Sequence, residues 1–466
     1  MKIGLIGSSY QQRSLPFDAQ RTINLYPIYD EQGKEVAALY GTPGLEYFTT
    51  AGTGAIRGSF TSTNGRCFFI SAGSLYEVTN TGVATSLGTL LTTTGNVTIE
   101  ENATQLAICD GTYVYILTYA TNVFAQVTDI DLPTAGTLTY IDGYFIVNKV
   151  DSGRFYISAI NDGTSWAALD YATAESSPDN LLRVLRGIGQ LWLFGTKTTE
   201  IWTNTGDSSF PFQKISGALI TVGVMSPYSA KEFSSSVFWI GESAEGYGVV
   251  YRANGFSPQR ISTEAIEIAI NNATDKTKIV GLTYQKDGHE FYILTSGGLE
   301  TSLVYDLTTE LWHERAYNNL SGNFEPHLMQ TITFAFGNHL VGDRRNGNIY
   351  KLKEDVYSDN EDAIVRERVY THLSDEARKI RYRILQIGFE TGVGLQSGQG
   401  SNPLVSLQLS KDGARTWSDS STASIGAVGK YQTNVVFRRL GIAEQMTFKI
   451  RITDPVKVAI IGSYLS

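Results

Sequence analysis

Five histidines, two cysteines and the surrounding carboxylates are where metal or nucleophilic chemistry would have to reside, and their spacing supports neither. His289, His313, His327, His339 and His372 form no H-x-x-x-H or H-x-H pair, and Cys67 and Cys109 stand far apart. A zinc site draws its ligands from short, regular spacings. The sequence has no G-x-S-x-G elbow to expose a nucleophilic serine and no G-x-x-x-x-G-K-[ST] loop to cradle phosphates. The opening Gly4-Leu5-Ile6-Gly7-Ser8-Ser9 resembles a nucleotide-binding turn only faintly, because the full G-x-G-x-x-G spacing and a following apolar helix are missing. Each histidine therefore reads as an ordinary, partly exposed side chain. The expectation is no catalytic residue, no bound metal and no cofactor.

One motif is sharp. Ser410-Lys411-Asp412-Gly413-Ala414-Arg415-Thr416-Trp417 fits S-x-D-x-G-x-T-W, the Asp-box. Its chemistry is structural: Asp412 is suited to accept backbone hydrogen bonds, Gly413 to take a positive φ, and Trp417 to pack over the turn, with Ser410 and Thr416 completing it. A looser relative runs from Asn161 to Trp166. Asp-boxes recur in sialidases, so a glycan-binding or sialidase-like glycoside hydrolase is the alternative function. That alternative needs an arginine cluster and a tyrosine nucleophile around one funnel. Among 26 Tyr, nothing in the sequence singles one out.

Basic residues gather at Arg344 and Arg345, along Arg378, Lys379, Arg381 and Arg383, and at Arg438 and Arg439. Period-2 spacing places Lys379, Arg381 and Arg383 on one strand face. A solvated face is the plain reading, and contact with an acidic partner, protein or DNA phosphate, is the functional one.

The chain that holds these residues has 466 residues, 42% hydrophobic and only 18% charged, which suits a large buried core. A net charge of −9 argues against wrapping nucleic acid over a broad basic face. Plentiful aromatics, 46 Gly and only 11 Pro suit twisted strands joined by tight turns. Two cysteines make no disulfide scaffold. The start, Met1 to Gly7, lacks the apolar region of a signal peptide, and no apolar run is long enough to predict a membrane helix.

A repeat organises the middle. An apolar triplet, a turn rich in Gly, Asp or Asn, and a second apolar-aromatic strand recur seven times, with first strands centred on Phe69, Ala107, Phe145, Trp192, Phe238, Phe291 and Leu340. Their spacing, 38 to 53 residues, is that of four-stranded propeller blades. The fold expected is all-β: a seven-bladed β-propeller (six to eight blades) followed by a C-terminal β-sandwich. The segments are an N-terminal arm and lead-in strand at 1–54, the propeller at 55–355, an acidic linker with a strand leading onward at 356–374, and the sandwich with its Asp-box hairpin at 375–466. The arm is expected to run over the propeller and supply a strand or an inter-subunit contact. One helix is expected, from Thr263 as N-cap to Ala273.

Taken in order, several strings resemble the packaged-DNA stabilisation proteins of short-tailed phages. They include Arg21-Thr22-Ile23-Asn24-Leu25-Tyr26-Pro27, Leu39 to Leu45, Arg154 to Trp166, Leu191 to Thr196, Ser236 to Gly241, Tyr251 to Ser262, the Asp-box, Arg438-Arg439-Leu440-Gly441 and Thr453 to Gly462. The resemblance spans nearly the whole chain. It implies a structural virion protein that forms a six-fold ring, a tail hub or nozzle, below the portal and adaptor. Such a ring is added after packaging, retains the DNA and provides the channel for ejection. It further implies tail spike, fibre or needle proteins beside or below the ring, and DNA that passes without specific binding. Synthesis would be in the host bacterial cytoplasm and residence in the virion tail. The family brings no catalytic residues, and the net negative charge is expected to line part of the channel.

Overall fold

The recurring apolar triplets are the second strands of seven blades, Cys67–Ser71, Gln105–Cys109, Tyr144–Lys149, Gln190–Gly195, Ser236–Glu242, His289–Thr295 and Asn338–Asp343. Each is hydrogen-bonded on both sides within its sheet and covered on both faces, so it reads as a continuous apolar run. The computed structural model describes residues 2–29, 36–242, 246–319, 321–376 and 378–466. Met1, at the start read for a leader, and residues 30–35 of the expected arm lie outside them.

First strands of successive blades, such as Thr98–Glu101, Ala135–Ile141 and Leu181–Gly187, pack side by side around the propeller axis. Fourth strands form the rim. Val123–Gln126, for example, alternates between exposed and half-buried residues. The last blade takes three strands from 329–353 and its fourth, Gly44–Thr50, from the N-terminal arm, with Leu45 opposite Leu352 and Tyr47 opposite Tyr350. Gly44 permits this closure, since a Cβ there would lie 2.4 Å from the Ser358 carbonyl and 2.5 Å from that of Val356.

The sandwich packs two sheets around Leu25, Leu39, Leu385, Ile387, Val405, Leu407, Phe437, Phe448, Ile450 and Ile460. One sheet runs Leu25–Tyr29, Ala37–Gly41, Ala459–Leu465, Ile380–Phe389, Val435–Ala443. The other continues without a break from blade six through Ala19–Ile23 and Arg366–Val369 to Gln445–Ile452, Leu404–Ser410 and Ser421–Ser424. Pairing thus crosses the segment limits read from the sequence: the arm contributes strands to both sandwich sheets, and the strand at 366–369 is a central one.

The helix spans Glu264–Asn271. Thr263 occupies its N-cap position, but its side chain makes no capping bond, and Oγ1 is buried without a partner.

Asn24 stitches the two domains. At φ 55° it turns the chain from one sandwich sheet to the other. Its side-chain amide donates to the carbonyls of Ala316 (2.8 Å) and Val365 (2.9 Å), and its Oδ1 accepts from the Ala316 N–H (2.9 Å). Beside it the Arg21 guanidinium pairs with Glu314 and Glu300, which holds the buried Glu314 carboxyl below the usual carboxylate range. Arg368, fully buried, donates to the Leu5 carbonyl (2.9 Å), Thr22 Oγ1 (2.9 Å) and Gln20 Oε1 (2.7 Å).

Candidate functional site: an arginine groove on the sandwich

Two of the basic clusters meet. Strand Ile380–Phe389 turns Tyr382, Leu385 and Ile387 inward and leaves Arg381 and Arg383 exposed. It pairs antiparallel with the edge strand Val435–Ala443, but the register slips between Tyr382 and Ile384, so that Tyr382 faces Gly441 and Ile384 faces Arg438. On the facing strand Arg439 takes φ 63° and Gly441 φ 103°. In a regular strand, consecutive residues point to opposite faces. The bulge instead leaves both Arg438 and Arg439 exposed.

The result is an open groove of about 670 Å³ lined by Arg381, Tyr382, Arg383, Ile384, Arg438, Arg439, Gly441 and Ile442. Lys411 adds a fifth cation, since the space a Gly441 side chain would fill lies 2.9 Å from its Nζ. No carboxylate is among the lining residues. Four guanidinium groups beside the exposed Ile442 suit planar, charge-assisted hydrogen bonding to carboxylates or phosphates.

The other predicted basic residues lie outside this groove. Arg378 reaches Glu376 at 3.6 Å, both side chains exposed, and Lys379 precedes the strand. Arg344 donates to Glu325 (3.1 Å), while Arg345 lies 3.5 Å from Asp343 and 4.6 Å above the Tyr317 ring. Both sit in the turn between two strands of blade seven.

The Asp-box occupies the connection between Leu404–Ser410 and Ser421–Ser424. Asp412 accepts from the backbone N–H of Arg415 (3.1 Å) and Thr416 (3.0 Å) and from the Ser410 and Thr416 hydroxyls, bonds that hold its carboxyl far below the usual range. Gly413 has φ 75°, and a Cβ on it would lie 2.7 Å from Pro16 of the arm. Trp417 stacks against the Lys449 ammonium at 4.2 Å. Every partner of Asp412 is part of the turn's own backbone and hydroxyls. In the looser copy, Asp162 accepts from the Thr164 N–H and hydroxyl, and the Trp166 indole donates to the Gly163 carbonyl (2.9 Å).

A second groove, at Arg154, Tyr171, Glu200, Trp202 and Lys214, has the aromatic and carboxylate content of a sugar site. Its polar groups engage one another: Arg154 stacks on Tyr171 (4.6 Å), and Glu200 accepts from the Trp202 indole (2.8 Å) and the Ser176 N–H (2.7 Å). Those bonds lower the Glu200 carboxyl below its ordinary value, the opposite of what a glycosidase general acid needs. The histidines are likewise engaged or enclosed. His289 bonds Asp306 (2.8 Å), His372 reaches the Leu15 carbonyl (2.6 Å), and His313 is buried with both ring nitrogens unpartnered. Among the described residues no group of His, Cys, Asp and Glu is placed to hold a metal ion, and no helix is long and apolar enough to cross a membrane.

Sequence reasoning missed a charged cluster around the propeller axis: Arg57, Glu100, Arg183 and Lys231, from the first strands of blades one, two, four and five. The available signal was a charge inside an apolar stretch, as in Leu181-Leu182-Arg183-Val184.

A sequence comparison with curated proteins returns no match. Solved structures similar to this chain include the N-terminal domain of Nup159 (8% identity, 72% of this chain and 98% of that one, TM-score 0.42). Another is the WD40 β-propeller domain of Doa1 (10% identity, 66% and 97%, TM-score 0.41). Neither bears on function. Family profiles are decisive: the β-propeller of bacteriophage P22 Gp10 matches residues 1–357, and the β-sandwich of the same protein matches residues 366–466. With both parts matched in order around one shared sheet, the chain belongs to the bacteriophage P22 Gp10 family of phage structural proteins.

Proposed function

We propose that this protein is a tail hub, or nozzle, of a short-tailed phage virion. In this reading, copies close into a six-fold ring below the portal and adaptor, retain the packaged DNA and provide its ejection channel. Tail spike, fibre or needle proteins would bind beside or below the ring. The observation that carries the reading is the in-order match of both family parts to one chain.

The architecture supports it physically. A propeller hides its sheet edges, and a sheet that continues into the sandwich resists hinging between the domains. Heterologous contacts that close by rotation generate rings with a central channel. The arginine groove beside the edge strand Val435–Ala443 offers a contact for carboxylates of a neighbouring subunit, which the net charge of −9 supplies in excess. The same excess, where it faces the channel, would keep DNA phosphates sliding rather than bound.

The test is reconstitution. Purified protein is added to capsids that hold DNA but lack it, and particles are imaged and assayed for retained DNA. A ring at the portal vertex with DNA held is the expected result. A chain that ignores the capsids overturns the proposal.

A further inference from the structure

The propeller holds two contrasting arginines near its axis. Arg57 is saturated by the protein: it donates to the carbonyls of Ala72 (2.8 Å), Thr92 (2.8 Å), Thr94 (2.6 Å) and Gly95 (2.6 Å), and to Thr92 Oγ1 (3.0 Å). That pattern is a structural arginine tying down a loop. Arg183 is 5% exposed, yet its Nε and Nη1 are buried with no hydrogen-bond partner among the described residues. Its guanidinium carbon lies 5.7 Å from the centre of the Tyr228 ring, a cation–π contact that supplies no hydrogen-bond acceptor. A buried cation with unmet donors is costly unless an anion completes it.

The neighbours do not supply that anion in sufficient number. Arg183, Arg186 and Lys231 all act electrostatically on the single carboxylate of Glu100, three cations to one anion. Burial pushes the Glu100 carboxyl up to about 7 and the Lys231 ammonium down to about 8, as expected where charges are poorly solvated and incompletely paired. These groups come from the first strands of blades two, four and five. Threonines tie the strands of blades two and four to blade three: Thr98 Oγ1 accepts from the Leu138 N–H, and Thr137 Oγ1 and Thr139 Oγ1 accept from those of Val184 and Arg186. The cluster is therefore held on rigid strands rather than on loops.

We propose that the axis of the propeller is an oxyanion site, in which Arg183, Lys231 and Arg186 hold one phosphate-type anion that Glu100 alone cannot replace. The bound anion neutralises the excess cations and cross-links the innermost strands of blades four and five. The same chemistry could come from free inorganic phosphate or from the terminal phosphate of a nucleic acid.

The experiment titrates inorganic phosphate into the full chain by calorimetry at pH 7, at ionic strength matched with chloride. Saturable binding of one phosphate per chain is expected. Arg183→Met should weaken it at least tenfold, and Glu100→Gln should tighten it by removing the competing carboxylate, an effect that a purely structural cluster would not produce. Arg186→Gln, at an exposed position, guards against misfolding and should weaken binding severalfold with an unchanged melting temperature. Absence of saturable binding, or equal affinity in Arg183→Met, overturns the proposal. Competition by a short single strand with a 5′-phosphate but not a 5′-hydroxyl assigns the ligand to a nucleic-acid end. Competition by neither assigns it to the free ion, and both results uphold the site. Equal competition by both strands places the binding on backbone phosphates elsewhere and overturns it.

Discussion

At the scale of single residues, the structure depends most on polar side chains whose partners are distant in sequence. Asn24 is the clearest. Its amide satisfies two carbonyls and one N–H from segments about 290 to 340 positions away, and its positive φ is one that Asn tolerates. Asn24→Ala should cost about 2–4 kcal/mol through unmet buried groups and backbone strain. Asn24→Gly, which loses the same bonds but avoids the strain of a Cβ at positive φ, should cost less, and denaturant titration of both variants checks the order. His313 makes a pH prediction. Burial, then the nearby Arg315, hold its imidazole down to about 3, whereas in the unfolded chain it titrates near 6.5. The unfolded state therefore binds the extra proton first, so stability is fully present above about pH 6.5 and is lost as pH falls toward 3. His313→Leu should flatten the fall of melting temperature over that window, and an unchanged slope would refute the assignment. The histidines were legible as isolated residues. Their burial was not, because it is set by blades packing across one another.

At the scale of elements, the sequence announces what is buried on both faces and conceals what is not. Second strands of the blades are continuous apolar runs and third strands carry a shorter apolar-aromatic stretch, which is why seven hairpins stand out in the text. First strands mix apolar residues with polar ones, as in Thr98-Ile99-Glu100-Glu101, and imitate loops. The closing strand Gly44–Thr50 is hidden for another reason: its partner lies some 300 residues downstream. Leu45, 1% exposed in the core shared by blades six and seven, should report on that closure. Leu45→Ala should cost about 2–5 kcal/mol, read as a lowered denaturation midpoint. The Asp-box makes a gentler test. Asp412→Ala should raise amide hydrogen exchange at Arg415 and Thr416 while leaving the propeller amides unchanged. The arginine groove was half legible. Its two clusters were visible as strings, but only the slipped register that sets Ile384 against Arg438 brings them onto one surface.

At the scale of the whole molecule, the two family parts are not separable bodies. A fragment of residues 366–466 lacks the strands at 19–23, 25–29 and 37–41, leaving edges of both sandwich sheets open and Leu25 and Leu39 missing from the core. Expressed alone, it should show no cooperative unfolding transition. Co-expression with residues 1–357 should restore one and yield a complex that co-elutes in gel filtration. A cooperative transition from the isolated fragment would contradict the shared sheet. The sequence could not reveal this merger, since nothing in a strand's alternation names its partner.

The same pairing fixes a timetable for synthesis. Leu39 must wait for Ile460. At roughly 5–20 residues per second, the strand around it, paired on one edge with Leu25–Tyr29, keeps its other edge open for roughly 20–80 s while the propeller is being made. During that interval the nascent chain displays an apolar sheet edge that fits the late strands of any sibling on the same messenger. Crowded polysomes should therefore favour exchange of the early strands between neighbouring chains. Slowing initiation, so that ribosomes travel far apart, should raise the yield of correctly closed monomers more than slowing elongation does.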